Sequence, residues 1–377
     1  MASLETPITI VRPHLIEFGV GTAGKLGKWA SDKGFARILV ISDAFNAGRV
    51  DALELPGHVT VFGEVKPEPD TDNLDKVLAA ANAANAQLIV GFGGGSAMDL
   101  AKLAAVLVGS SQSLRDVVGP NKIGGPRRVA LAQVPTTAGT GSEAGIRALV
   151  TDPSTMAKLA VESLHMLADI AVIDPAFTFS VPAKVTAATG VDAMAHCVEA
   201  FTNRKAHPTI DLYAQEGTRL VGRYLARAVR DGADAEARSG LALASLYGGF
   251  CLGPVNTAGG HALAYPLGTR WHVPHGAANA LIFPHVLAFN APTVPVKTQA
   301  VMQALGYEGK HDVGAVFDAA YAFCADLGIE MTLSGLGVAA DDLATMASDA
   351  FAIRRLLDNN PRDLSQADIL TIYQAAY

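Results

Sequence analysis

The chain has 377 residues, of which 50% are hydrophobic and 17% charged, so it is not a disordered protein and is long enough for two domains with sizeable cores. The formal net charge at pH 7 is −7, and acidic and basic residues are interspersed along the sequence. This distribution argues against nucleic acid as a partner, because nucleic-acid binding needs clustered basic residues.

The first 180 residues alternate between strand-like and helix-like segments. Apolar runs rich in β-branched residues predict strands, and the stretches between them predict helices. This alternation is typical of a parallel, doubly wound sheet, and several runs are apolar on both faces, as a sheet covered on both sides requires. We therefore predict an α/β domain over residues 1–180. Its predicted strands are Ile8–Val11, Arg37–Ile41, Val59–Val65, Gln87–Gly91, Arg128–Val134 and Ile170–Ile173, and its predicted helices include Asp72–Ala84 and Ser96–Val108.

After Asp174 the β-branched runs disappear, and alanine, leucine and glycine dominate the sequence. We predict an all-α domain over residues 181–377. The stretch Gly268–Pro292 contains three prolines, so we expect it to be rich in loops and to wrap a site instead of forming one long helix. The predicted helices are Ala183–Phe201, His207–Arg230, Ala233–Tyr247, Gly259–Tyr265, Val313–Leu327 and Ala340–Ala352.

Two glycine clusters in the first domain fit a dinucleotide-binding loop. Gly19–Gly24 is a formal G-x-G-x-x-G after the strand-like segment His14–Phe18, and Asp43 ends the next strand at about the expected distance. The second cluster, Gly93-Gly94-Gly95-Ser96, precedes a helix that contains Asp99. Backbone N–H groups in such a loop can bind a pyrophosphate together with the helix N-terminus. A tight turn between strand and helix explains either cluster equally well.

A third loop, at residues 135–143, favours the second cluster. Its sequence P-T-T-A-G-T-G-S-E follows the predicted strand Arg128–Val134 and is dense in hydroxyl groups and glycines. Such residues after a buried strand are suited to binding phosphate and ribose, and two such loops from neighbouring strands form a cofactor site at the carboxyl edge of a sheet. The candidate contacts in this loop are Thr136, Thr137, Thr140 and Ser142.

A carboxylate and three histidines in the second domain form a candidate metal site. Asp192 and His196 are four residues apart in a predicted helix, so both side chains lie on one face. His261 and His275 come from a second region, and each is next to a glycine. One carboxylate and three imidazoles can bind Fe(II), Zn(II), Mn(II) or Co(II). Because a single Asp-x-x-x-His pair is more often a surface pair, the hypothesis depends on the two further histidines.

Five motifs, taken in their order and spacing, carry a family resemblance. They are G-G-G-S-A-M-D-L-A-K at 93–102, P-T-T-A-G-T-G-S-E at 135–143, A-V-I-D-P at 171–175, G-V-D-A-M-A-H-C-V-E-A-F at 190–201, and H-A-L-A-Y-P-L-G with P-H-G-A-A-N-A between 261 and 280. Together they resemble the iron-containing (group III) alcohol dehydrogenase family, and in particular its short-chain alcohol dehydrogenase and maleylacetate reductase subset. The resemblance implies a dehydroquinate synthase-like fold, with a dinucleotide-binding domain in residues 1–180 and an all-helical metal-binding domain in residues 181–377.

The resemblance also implies roles for individual residues. It assigns the metal ligands to Asp192, His196, His261 and His275, the pyrophosphate loop to Gly93, Gly94, Gly95 and Ser96 with Asp99 nearby, the adenosine-side contacts to Thr136 and Thr137, and a lysine near the cofactor to Lys158. An acidic residue at Asp43 implies binding of the adenine-ribose hydroxyls and exclusion of a 2′-phosphate, hence NAD instead of NADP. The resemblance makes Gly19–Gly24 a structural turn.

Two positions depart from the family pattern. Glu68 lies where many members have an asparagine that contacts the cofactor, so this ribose contact stays open. Tyr265 lies where many members have a further histidine, and His272 is close to it in sequence. Tyr265 and His272 are therefore the candidate catalytic residues for proton transfer. The alternative is that Tyr265 is a packing residue and His272 a loop residue.

The implied activity is that of a metal-dependent, NAD-dependent alcohol dehydrogenase, with Fe(II) favoured and Zn(II) as the alternative ion. It would transfer a hydride between nicotinamide and a small alcohol bound to the metal, working as an aldehyde or keto-acid reductase. Maleylacetate reductase-type activity stays open, as does a dehydroquinate synthase-like lyase that uses NAD transiently. The lyase is disfavoured because residues 190–280 contain few lysines and arginines arranged to bind a phosphorylated polyol.

The sequence also suggests where the protein works and with what partners. It has no basic segment followed by an apolar core at its start, and no run of about 18 apolar residues, so we expect a cytoplasmic protein without a membrane partner. The expected partner is a small alcohol, aldehyde, hydroxy acid or keto acid. A predicted N-terminal strand at a sheet edge favours a homodimer.

Overall fold

The computed structural model describes residues 4–155, 157–309 and 312–377. The chain forms two compact units. The α/β unit contains Val11–Thr137 and Gly141–Phe179, and the helical unit contains Ser180–Tyr377. The helical unit also includes Ala138–Thr140 and the described residues up to Ile10.

Two short segments of the first 180 residues thus belong to the helical unit, and their contacts explain why. Ala138 is buried in the apolar cluster that contains Ala187 and Val191. The backbone carbonyl of Thr6 accepts a hydrogen bond from Nε2 of His207, at 3.0 Å. Contacts such as these, and not position in the sequence, determine which unit a segment joins.

The α/β unit is built on a sheet of six parallel strands, in the order β1-β9-β6-β4-β2-β3, beside a small sheet in the order β5-β8-β7. Side chains of alternate residues point to opposite faces of a strand. In the strand at residues 37–41, Leu39 and Ile41 join one apolar cluster, and Ile38 and Val40 join another. The sheet is therefore covered on both faces, as predicted. The strands are β1 Leu15–Phe18, β2 Arg37–Ile41, β3 His58–Phe62, β4 Leu88–Gly93, β5 Gly119–Pro120, β6 Ala130–Pro135, β7 Arg147–Asp152, β8 Ala157–Glu162 and β9 Ile170–Ile173.

The predicted strand at Ile8–Val11 is wrong. These residues pair with no strand in the described part of the chain, and the edge position beside β9 is occupied by Leu15–Phe18. A β-branched run favours a strand only where a partner strand is available. The antiparallel pair of β7 and β8, in which Ala148 and Val150 are buried at alternate positions, was not predicted from the sequence.

Fifteen α-helices are described, ten of them in the helical unit, and residues 180–309 and 312–377 contain no strand. The prediction of an α/β domain followed by an all-α domain is confirmed. In the α/β unit the helices are α1 Lys25–Asp32, α2 Ala44–Ala47, α3 Thr71–Ala83, α4 Gly95–Leu107 and α5 Leu114–Val117. In the helical unit they are α6 Ala183–Thr202, α7 Pro208–Arg230, α8 Ala235–Leu252, α9 Gly259–Trp271, α10 His275–Asn290, α11 Pro295–Ala304, α12 Val313–Ala325, α13 Leu343–Phe351, α14 Arg354–Leu357 and α15 Gln366–Ala375.

The predicted loop at Gly268–Pro292 is also wrong, because most of it is helix α10. A proline inside a helix removes one backbone hydrogen bond and costs about 3 kcal/mol. Pro284 lies inside α10, but Leu281, Ile282 and Phe283 beside it are buried. Burial of each such side chain contributes about 1.5–3 kcal/mol, which offsets the proline.

Among the described residues, no helix combines the length and the apolar character needed to cross a lipid bilayer.

We predict that Gly222→Ala destabilises the helical unit. A Cβ atom at Gly222, in α7, would lie 1.8 Å from the carbonyl oxygen of Ala304, at the end of α11. Since the two helices must move apart, the free energy of unfolding should fall by about 1–3 kcal/mol, measured by urea denaturation followed by circular dichroism. Gly253→Ala is the control, because a Cβ there meets no atom within 4 Å. Equal midpoints for the two variants would contradict the prediction.

Candidate active site

Four polar side chains of the helical unit converge on one point. Asp192 and His196 lie on one face of α6, His261 is in the first turn of α9, and His275 is the first residue of α10. One donor atom from each lies within 4.8 Å of the donor atoms of the other three. The structure thus brings together all four residues predicted as metal ligands.

The distances in this cluster fit a bound cation. Oδ1 of Asp192 lies 3.9 Å from Nε2 of His196 and 3.6 Å from Nε2 of both His261 and His275. These distances are too long for hydrogen bonds but close to the spacing of about 3.4 Å between ligands that surround an ion tetrahedrally at about 2.1 Å. Within the described residues, Nε2 of His261 is buried without a hydrogen-bond partner. An unpaired buried nitrogen is unfavourable, and a cation would satisfy it.

The protonation states of Asp192 and His196 suit metal ligands, and that of His261 would change on binding. Burial alone would raise the pKa of Asp192, but the surrounding imidazoles hold that pKa well below its usual range. Burial lowers the pKa of His196 to about 4, although Asp192 opposes the shift. At neutral pH, Asp192 is therefore ionised and His196 is neutral, which are the forms that bind metal. Burial alone would lower the pKa of His261, but Glu199 and Asp192 raise it to about 10, so an ion would displace a proton from this imidazole.

Two glycines allow the helices to approach closely enough. A Cβ at Gly276 would lie 2.4 Å from the carbonyl oxygen of Ala188, so α10 can begin against α6 only with glycine at this position. A Cβ at Gly260 would lie 2.5 Å from Oε1 of Glu199. The glycines next to His261 and His275 in the sequence thus have a steric role in assembling the cluster.

Glu199 and Asn279 support the cluster, and the sequence analysis missed both. Oε1 of Glu199 accepts hydrogen bonds from Nδ1 of His261 (2.7 Å) and from the backbone N–H of the same residue (3.1 Å). This bond fixes the tautomer of His261, with its Nε2 facing the cluster. Nδ2 of Asn279 donates to Oδ1 of Asp192 (2.7 Å). Spacing could have revealed both residues, because Glu199 lies seven residues after Asp192 and Asn279 four after His275 on their helices.

Of the two proton-transfer candidates, the structure places Tyr265 beside the cluster. Its ring lies 5.8 Å from the ring of His275, measured between centroids. His272 is exposed and ends α9 in a left-handed conformation, with φ of 53°. In the described chain, His272 makes no hydrogen bond or ring contact with any of the four clustered residues.

The predicted nucleotide-binding residues meet at the carboxyl edge of the parallel sheet. Strands β2, β4 and β6 are neighbours, so Asp43, Gly94 and Thr136 follow them at the same edge. Nδ2 of Asn46 donates to Oδ2 of Asp43 (2.7 Å) and to Oγ1 of Thr136 (3.2 Å), which links two of these loops. A Cβ at Gly94 would lie 3.5 Å from Oγ1 of Thr137. Helix α4 starts after Gly94 without a side-chain cap, so its first N–H groups are not satisfied by an N-cap side chain.

Other predicted contacts have partners within the protein. Oδ1 of Asp99 accepts a hydrogen bond from Oγ of Ser142 (2.6 Å), and that hydroxyl in turn accepts one from Nζ of Lys102 (2.6 Å). Lys158 forms an ion pair with Glu68, the residue that departs from the family pattern. Thr140 lies in the helical unit and Ser96 in the first turn of α4. Gly19–Gly24 form the turn between β1 and α1, where Gly19 and Gly21 have positive φ.

Glu143, in the loop after β6, is a buried acid that is not among the predicted site residues. Its side chain is 1% exposed, and its Oε2 has no hydrogen-bond partner in the described structure. Burial raises the pKa of Glu143 to about 7, although Lys102 attracts its charge. Burial also lowers the pKa of Lys102. The loop therefore contains an acid that changes charge near neutral pH.

Two family descriptions match the chain. Residues 13–175 match "Iron-containing alcohol dehydrogenase", and residues 186–377 match "Fe-containing alcohol dehydrogenase family, C-terminal". The chain is 38% identical to long-chain-alcohol dehydrogenase 1 of Geobacillus thermodenitrificans, over 98% of this chain and 96% of that protein. It is 34% identical to sulfoacetaldehyde reductase of Bilophila wadsworthia, over 92% of this chain and 90% of that protein.

Solved structures share the fold. A crystal structure of 1,3-propanediol oxidoreductase superposes with a TM-score of 0.93 at 30% identity, over 99% of this chain and 100% of that one. Sulfoacetaldehyde reductase from Bifidobacterium kashiwanohense, in complex with NAD+, superposes with a TM-score of 0.87 at 28% identity, over 98% of this chain and 99% of that one. The predicted fold class is confirmed.

We predict that Glu199→Gln weakens metal binding. The amide keeps the size of the side chain but loses the negative charge that orients His261. The Kd for Zn(II), measured by competition with a chelator, should rise about 10- to 100-fold. Asp211→Asn is the control, because it removes a carboxylate paired with Lys297 in the same unit (2.8 Å) and touches no clustered residue. An unchanged Kd for Glu199→Gln in a folded protein would contradict the prediction.

We also predict that Glu143 makes stability depend on pH. Because its pKa is raised from 4.5 to about 7, the folded state favours the protonated acid, and stability decreases as pH rises through this range. The full effect is about 3 kcal/mol, from a shift of about 2.5 pKa units at 1.36 kcal/mol each. In urea unfolding, the free energy of unfolding of Glu143→Gln relative to the wild type should rise by about this amount between pH 4.5 and pH 8. A constant difference over the range would contradict the assignment.

Proposed function

Because the chain belongs to the iron-containing alcohol dehydrogenase family, we propose that it is an NAD-dependent and metal-dependent enzyme that interconverts a small alcohol and its aldehyde or ketone. The family resemblance found in the sequence is confirmed, and so is the expectation of an oxidoreductase that acts on alcohols. The single observation that carries the metal-dependent proposal is the convergence of Asp192, His196, His261 and His275 on one point.

The four clustered residues would hold the ion. Fe(II) is favoured by the family, and the ligand set of one carboxylate and three imidazoles also suits Zn(II), the alternative ion. When bound, such an ion supplies Lewis acidity toward the oxygen of an alcohol or carbonyl. The orientation of His261 by Glu199 and of Asp192 by Asn279 keeps the ligand atoms in place.

We propose Tyr265 as the first candidate for the residue that transfers the proton released from the alcohol. It lies against His275, and its hydroxyl group can both donate and accept a hydrogen bond. His272 is the alternative carrier, since it is exposed and its imidazole can both donate and accept a proton. The two assignments differ in distance from the ligands, and the ring contact of Tyr265 favours it.

The NAD cofactor would bind at the carboxyl edge of the parallel sheet. The uncapped start of α4, at Gly94, Gly95 and Ser96, offers N–H groups to the pyrophosphate. Asp43 is oriented by Asn46 and would accept hydrogen bonds from the hydroxyls of the adenine ribose. The same negative charge would repel a 2′-phosphate, so NAD is preferred over NADP. A solved relative contains NAD+, which supports this assignment.

We expect the purified protein to contain about one divalent ion per chain and to form NADH from short alcohols. Removal of the ion by a chelator should abolish NADH formation, and added Fe(II) or Zn(II) should restore it. His196→Ala should lower metal content and reduce kcat/KM by about 100-fold or more, because it removes a ligand. Metal analysis and absorbance at 340 nm, with NAD and NADP compared, are the measurements.

The matched control is His58→Ala, which removes an exposed imidazole from the α/β unit. It should leave metal content and rate unchanged. Full activity after chelation, or in metal-free His196→Ala, would refute a metal-dependent reaction.

A further inference from the structure

The four clustered residues differ in exposure, and the difference shows the side from which the cluster is open. The side chains of Asp192, His196 and His261 are 3%, 6% and 2% exposed. The side chain of His275 is 29% exposed. Within the helical unit, a small molecule can therefore reach the cluster past His275, and the groups next to this histidine are the ones that it meets.

An arginine lies on the side of the cluster where His275 is exposed. The ring of Tyr265 lies 5.8 Å from that of His275, and Cζ of Arg355 lies 5.5 Å from the centroid of the Tyr265 ring. Nη2 of Arg355 donates a long hydrogen bond of 3.4 Å to the hydroxyl of Tyr265. Arg355 is in the short helix α14, which packs on α9. Tyr265 thus contacts both His275 and the exposed guanidinium group of Arg355.

The charge of Arg355 is not neutralised by a carboxylate, unlike the charges of neighbouring arginines. Arg270, on α9, pairs with Asp349 at 2.6 Å, and Arg354 pairs with Asp358. In the described residues, Arg355 has no carboxylate within 4.0 Å, and its contacts are with the phenol of Tyr265. The remaining N–H groups of its planar guanidinium can form two parallel hydrogen bonds with a carboxylate or sulfonate.

We infer that Arg355 is a specificity-determining residue, and that the preferred substrate is a short alcohol or aldehyde with an acidic group at its other end. This inference rests on the proposed function and narrows it to one substrate class. The oxygen at the reacting carbon lies in the cluster, and the anionic end lies at Arg355, with Tyr265 between them. Hydrogen bonds to a charged partner hold the substrate in one orientation, which favours hydride transfer at one end.

Two aldehydes of equal chain length test the inference. Butanal and 4-oxobutanoate differ only in the terminal acid. The wild type should reduce 4-oxobutanoate with the higher kcat/KM, and the advantage should shrink as salt is raised, because the interaction is electrostatic. Arg355→Met should lower kcat/KM for 4-oxobutanoate by about 10- to 100-fold and leave that for butanal within about threefold. Arg355→Lys should recover part of the loss, since it keeps the charge but not the fork.

Arg354→Met is the matched control, because it removes the adjacent arginine, whose charge is already paired with Asp358. It should affect both aldehydes equally. An equal loss for both substrates in Arg355→Met, or no loss for either, would overturn the inference. A wild type that reduces butanal but shows no preference for 4-oxobutanoate would also overturn it and leave the proposed function intact. A wild type that reduces neither aldehyde and oxidises no alcohol would instead refute the proposed function.

Discussion

The buried carboxylate of Asp192 is the constraint on which the helical unit depends. Imidazoles from three helices approach one of its oxygens at 3.6–3.9 Å, in a region from which water is largely excluded. Polar groups in such a place cost several kcal/mol each unless a partner satisfies them. The apolar cluster around α6 holds the groups together despite this cost. A divalent cation would satisfy these groups together, and the proposed metal site would then explain both the packing of the helices and the polar residues between them.

In the α/β unit, several polar side chains are satisfied by hydrogen bonds to one another. Asp99, Ser142 and Lys102 satisfy one another beneath the carboxyl edge of the sheet and join α4 to the loop after β6. The first turn of α4, after Gly94, is left without a side-chain cap. Side chains thus fix the loops, and the backbone N–H groups at the start of α4 would be available to the proposed anionic ligand. This division is what a pyrophosphate site requires, since the ligand supplies the missing acceptors.

The sequence predicts much of this fold because many of its signals are local. The strands at Arg37–Ile41 and Ile170–Ile173 were predicted to the residue, since continuous apolar runs are typical of buried parallel strands. Asp192 and His196 were found because they share a helix face, whereas His261 and His275 were assigned from the glycines beside them and from the family resemblance. The run Ile8–Val11 was misread because pairing depends on a distant partner. Helix α10 was misread because the burial that compensates Pro284 is not visible in the local sequence.

Contacts between distant residues explain what the sequence could not show. Arg355 lies 90 residues from Tyr265 in sequence, and no spacing rule connects them. Glu199 was within reach of a spacing rule, but its bond to His261 depends on the close approach that Gly260 permits. Asp99 and Ser142 were expected to face a cofactor, and the structure shows them bonded to each other, while their role toward a cofactor stays a prediction.

The unequal exposure of the four clustered residues has a consequence for how an ion would come and go. Three of the side chains are buried, whereas His275 is partly open to solvent and begins a helix. A frayed first turn of α10 would swing this one imidazole away and leave the other three in position. The lifetime of the bound ion would then be governed by the opening of a single helical turn, and enzyme purified under different conditions would carry different metals without any change in fold.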